Sequence, residues 1–114
     1  MHGIIDVDDT IANAEREFPL LRRFFGAYFH EDWHEEHAGT NAAVAAYLRD
    51  APAPVVTASA VELDRVLALG LDDASLGRLL RDGFGCNYVP EVDELTPRAW
   101  LERVRGQMQP APRD

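Results

Sequence analysis

The sequence contains no lysine: all eleven of its basic residues are arginine, and 20 acidic residues bring the formal charge to −9 over 114 residues. A chain this acidic is a poor direct binder of phosphate backbones, because that affinity comes from Lys and Arg displacing counterions. It is suited instead to a basic surface. The single cysteine, Cys86, excludes an internal disulfide framework and a Cys-rich zinc module, and fits a reduced compartment. The N-terminus runs from Met-His-Gly into Asp6, Asp8 and Asp9, without the basic and apolar regions of an export signal. No apolar run approaches the roughly 20 residues a bilayer span needs. The expected location is the cytoplasm. Hairpin signals, sustained period-two alternation, internal repeats and a glycine-rich phosphate loop are also missing. Ile4 to Val7 is the one plausible strand, and a lone strand has no sheet to join.

What is present is a globular composition, 46% hydrophobic and 27% charged, in a chain long enough for one core. The pattern predicts an all-α, compact single domain of five or six short helices. Residues 1–17 read as an N-terminal extension of that domain, with a helix-compatible run from Asp9 to Glu17 capped by Asp8 or Asp9. Pro19 opens a helix to Phe29 whose Leu21, Phe24, Phe25, Tyr28 and Phe29 form one apolar face. His30 to Gly39 is a charged connection anchored by Trp33. Thr40 or Asn41 caps the next helix, and Pro54 begins another with Val56, Ala60, Leu63 and Leu67 on one stripe and Gly70 at its end. Asp72 or Asp73 caps a helix carrying Leu76, Leu79 and Leu80, stopped by Gly83 and Gly85, after which Phe84 folds back on the core. Thr96 and Pro97 open the last helix, with Trp100, Leu101, Val104 and Met108 inward and Arg98 spaced to pair with Glu102. The helical domain spans 18–109, and 110–114 is a frayed tail.

Three motifs resemble chemistry. Residues 4–10 read IIDVDDT, the D-x-D-x-T pattern of haloacid-dehalogenase phosphatases, with Asp6 as nucleophile and Asp8 as acid/base beside Mg²⁺. That enzyme also needs a parallel sheet and a downstream basic residue that is usually lysine, and this chain offers neither. His30-Glu31-Asp32-Trp33-His34 is formally H-E-x-x-H, which on a helix lets two imidazoles share a zinc while Glu31 polarises water, with His37 a further turn along. The segment is too polar for the long buried helix that such a hydrolase uses. Cys86, between Phe84 and Tyr88, reads as a small buried apolar residue. No catalytic residue, metal site or cofactor is expected.

The stretch FPLLRRFFGAYFHEDW, Phe18 to Trp33, resembles the start of the CdiI type of immunity proteins from contact-dependent growth inhibition (CDI) systems. Phe18, Pro19, Leu21, Arg22, Phe25, Gly26, Tyr28, Phe29, His30, Asp32 and Trp33 carry the likeness. Phe84-Gly85-Cys86-Asn87-Tyr88 and Trp100-Leu101 are similar to its later landmarks, so it covers about residues 18 to 108. Glu31 departs from the glutamine the family tends to have, and that change alone creates H-E-x-x-H. The resemblance implies a cytoplasmic, non-enzymatic protein that binds and neutralises the toxic C-terminal domain of a cognate CDI effector, often a nuclease. It implies no direct nucleic-acid or membrane partner. The charge suggests contact where acid and exposed aromatics coincide: Glu31, Asp32, Trp33, Glu35 and Glu36, then Glu91, Asp93 and Glu94 around Tyr88. Within that set Asp32 and Trp33 belong to the shared motif and so are expected to fix the fold. An acidic adaptor for another basic protein is the alternative from the residues alone.

Overall fold

The helix α3 (Pro19–Tyr28) organises the molecule. Proline suits its first turn, where the missing N–H is an orphan in any case. The next two N–H groups, of Leu20 and Leu21, both donate to Glu62 Oε1 at 3.0 Å, so a carboxylate from another helix serves as the cap. Leu21, Phe24, Phe25 and Phe29 are fully buried, as the spacing of three and four predicts.

The computed structural model describes residues 7–108. Before α3 come α1 (Val7–Ala12) and α2 (Ala14–Glu17); after it come α4 (Trp33–Glu36), α5 (Thr40–Asp50), α6 (Ala53–Ala68), α7 (Asp73–Arg78) and α8 (Pro97–Met108). A wide π-type turn, Leu79–Gly83, continues α7, and a 3-10 turn, Pro90–Asp93, precedes α8. No strand occurs among the described residues, and none of their helices is long and apolar enough to cross a membrane. The Cα radius of gyration of 13.8 Å is near the roughly 13 Å of a compact 100-residue domain, so these helices form one body.

Helices α6 and α8 pack against each other, and α3 lies across α6. Between them sits an aromatic core. Phe25 stacks on Phe84 with centroids 5.7 Å apart, and Phe29 meets Trp100 edge-on at 5.2 Å. The buried Tyr47 and Ser59 hydroxyls share a 2.6 Å bond, and Ser59 donates onward to the Val55 carbonyl, which leaves that polar pair satisfied.

The all-α, single-domain expectation of five or six short helices holds: among the described residues α3, α5, α6, α7 and α8 make up the body, and the single-turn or nearly single-turn α1, α2 and α4 add to them. The run from Asp9 to Glu17 breaks at Asn13, whose side-chain amide donates to the Asp9 carbonyl and competes with the helix ladder. Asp8 and Asp9 lie inside the first turn of α1 rather than capping it, and Asp8 pairs with Arg78 at 2.6 Å. Gly39, not Thr40 or Asn41, holds the cap position of α5. Arg98 turns away from Glu102 and donates to the Leu67 and Leu71 carbonyls, satisfying groups that the end of α6 leaves without helical partners. Asp72 caps α7 by accepting from the Ser75 N–H at 2.8 Å, and Thr96 caps α8 through Ala99. Gly83 is where α1 and α2 close on the π-type turn: an added Cβ would lie 2.8 Å from Leu79 Cδ1 and 3.3 Å from Ala14 Cβ. Asp6, the start at Ile4 and Ile5, and the tail 110–114 lie outside the described residues, while Val7, the last residue of the expected strand, is helical.

Candidate functional site

Helix α3 is capped by Phe29, whose carbonyl accepts from the Asn87 N–H at 2.8 Å. That bond brings the segment after Gly85 up against the turn that follows α3. Cys86, Tyr88 and Pro90 are buried while Asn87, Val89 and Glu91 are exposed, the alternation of an extended chain lying on a core. Tyr88 therefore reaches Trp33, with centroids 5.6 Å apart in a T-shaped contact, and Trp100 at 4.8 Å.

Around this pair stand both acidic segments. His30 Nδ1 accepts from the Asp32 N–H at 3.0 Å, which leaves Nε2 to donate to Glu36 Oε1 at 3.1 Å. The ring thus closes the turn that leads into α4. On the other side the Tyr88 hydroxyl donates to Asp93 Oδ2 at 2.6 Å, and burial together with that carboxylate pushes the phenol above its ordinary range. Glu94 follows in the left-handed region at φ 63°, while the Leu95 N–H closes back on the Pro90 carbonyl. Glu31, Asp32, Glu35, Glu36, Glu91, Asp93 and Glu94 are all exposed. Among the described residues, Glu31, Glu35, Glu91 and Glu94 have no side-chain partner.

The two aromatics named with these carboxylates are not exposed anchors. Trp33 is 4% and Tyr88 5% accessible, because both rings complete the Phe29–Trp100 wall. The exposed apolar side chains nearby are Val89 and Val92, which the search for aromatics passes over. The alternation from Cys86 to Glu91 is the sequence signal that marks Val89 as outward. A groove of about 630 Å³ runs beside Val89, walled by Asp73, Gly77, Arg78 and Arg81 on one side and by Asn87, Val89 and Glu91 on the other. Cys86 contributes to it from below; burial pushes its thiol up to about 12, which favours the neutral thiol.

The H-E-x-x-H spacing has no helix to act on. His30 lies in a turn and His34 in the four-residue α4, so the i, i+4 face never forms. Among the described residues no three His, Cys, Asp or Glu side chains are placed to hold a metal ion. Asp8 faces Arg78 across a helix pair rather than a phosphate loop after a strand.

The family profile described as CdiI immunity protein matches residues 17–108, most of the chain. The chain belongs to the CdiI immunity protein family. The fold is similar to one chain of the crystal structure of the CdiA-CT/CdiI complex from Y. kristensenii 33638, with a TM-score of 0.78 and 26% identity, covering 82% of this chain and 100% of that one. No match is found among curated proteins. In this CdiI family member Phe29 and Trp33 are buried in the aromatic wall and Phe18 is buried against Phe84. The family match begins at Glu17, so α1 and nearly all of α2 precede it, although Ile11 and Ala14 pack on Gly83.

Proposed function

We propose that this chain is an immunity protein that acts in the cytoplasm, binding the toxic C-terminal domain of a cognate CDI effector and neutralising it by occupancy rather than by catalysis. The toxin is a nuclease, and the contact is the acidic face formed by residues 31–36 and 91–94. One observation carries the reading: the Trp33–Tyr88 contact joins two acidic segments that lie far apart in sequence, and the most outward of their carboxylates are spent on nothing within the described fold. Nuclease domains carry basic surfaces for phosphate, so a face of this sign attracts them over a distance and covers the cleft their substrate enters. Family membership and the likeness to the Y. kristensenii complex support the same partner class.

The test is binding to the toxin domain encoded immediately upstream, across a salt series, followed by a nuclease assay at saturating immunity protein. Tight binding that weakens as salt rises, with activity abolished, is the expected result. Binding that leaves the toxin fully active, or no binding, overturns the proposal.

A further inference from the structure

Among the described residues three large hydrophobic side chains stand well out of the surface: Val61 at 54%, Val89 at 50% and Val92 at 73%. A single exposed valine is ordinary. Val89 and Val92 differ because they sit three residues apart at one acidic turn, Val89 just before it at the edge of the groove beside α7 and Val92 within it. The turn is also fixed in shape before any partner arrives. The Tyr88 hydroxyl ties Asp93 from within, the Leu95 N–H closes on the Pro90 carbonyl, and Glu94 is held left-handed at φ 63°.

Interfaces place an apolar centre inside a polar rim, and a rigid centre loses little ordering entropy on binding. A second groove, beside α3, carries Arg22 and Arg23 against one carboxylate, Glu15, whereas in the groove beside α7 Asp73 and Glu91 balance Arg78 and Arg81 and the adjoining turn adds Asp93 and Glu94. We infer that the Val89–Val92 turn is the apolar anchor of the docking surface for the basic toxin domain, an inference that rests on the immunity reading above. Val92 enters an apolar recess of the partner, and Val89 forms the lip of the groove that receives a partner side chain. Glu91 and Glu94 form the charged rim, which sets approach and orientation rather than residence time.

The experiment compares the full chain with its Val89→Ser/Val92→Ser double variant against the upstream-encoded toxin domain. Both positions are exposed, so the fold should tolerate serine, and far-ultraviolet circular dichroism and urea midpoint check that it does. Serine leaves the charge unaltered, which separates the apolar contribution from the electrostatic one. The expected result is an affinity loss of about tenfold to a hundredfold, carried by faster dissociation, with an unchanged salt slope. Val61→Ser, outside the groove, should bind like the parent. A double variant within about twofold of the parent overturns the anchor while leaving the immunity reading intact. A parent that fails to bind overturns that reading itself. If instead the parent self-associates in sedimentation and the double variant is monomeric, the turn is a face between copies of this chain and the anchor is overturned.

Discussion

The two ends of α3 use charge in opposite ways. At its start Glu62 accepts from two helix N–H groups, and Arg65 lies over the Phe18 ring at 4.8 Å while donating to the Glu17 carbonyl and carboxylate. Charge there completes the fold. At its finish, Glu31 and Glu35 on one side and Glu91 and Glu94 on the other leave their carboxylates in solvent, while three aromatic rings and the Asn87–Phe29 bond hold the region together, with only Glu36 and Asp93 of the acidic set engaged, by His30 and Tyr88. The difference separates stability from recognition. A protein whose surface must match one partner gains freedom when the matching groups carry none of the folding free energy.

Removing the uncharged support gives the largest expected effect. Trp33→Ala empties a buried site between Phe29 and Tyr88 and should cost about 3–5 kcal/mol of folding stability by urea denaturation. A loss under about 1 kcal/mol would show that the acidic end is not propped by this ring. Next comes the paired end: Glu62→Ala strands the N–H groups of Leu20 and Leu21 and should cost about 1–3 kcal/mol. Glu62→Gln, which keeps an acceptor oxygen, should recover part of that loss. The smallest expected change in stability is the sharpest contrast. Neutralising Glu31, Glu35 and Glu91 together to glutamine should alter stability by no more than about 0.5 kcal/mol, and in the stabilising direction as self-repulsion falls. The same variant should slow association with the toxin at low salt, read from stopped-flow rates. A stability loss comparable to that of Glu62→Ala would erase the distinction between the two ends.

Local chemistry was readable in advance wherever the deciding contact lay within a few residues. Proline at Pro19 and Pro97, the Asp72 and Thr96 caps, and Gly70 at φ 75° mark helix ends by groups that act on their own neighbours. Positions decided by distant contacts were not readable. Arg98 is such a position: it prefers carbonyls about 30 residues upstream to the glutamate one turn away, while the interruption at Asn13, whose amide donates to the Asp9 carbonyl, is a local feature that the helical pattern passes over. The candidate site shows the same division. Its carboxylates are exposed because nothing in the chain needs them inside, so composition alone located them. Trp33 is buried, as its expected part in fixing the fold requires, but Tyr88 is no exposed anchor, because the two rings cover each other across more than 50 residues.

The hydrogen bond from Asn87 to the Phe29 carbonyl also bears on how the molecule opens. Neither acidic segment has more than a single turn of helix of its own, so each relies on the other for protection from solvent. That bond and the Trp33–Tyr88 contact are shared by both segments, so an opening that separates the two halves of the surface must break both. The Asn87 amide is therefore the natural hydrogen-exchange reporter for that event, slow while the whole face is assembled and fast when it opens at either edge.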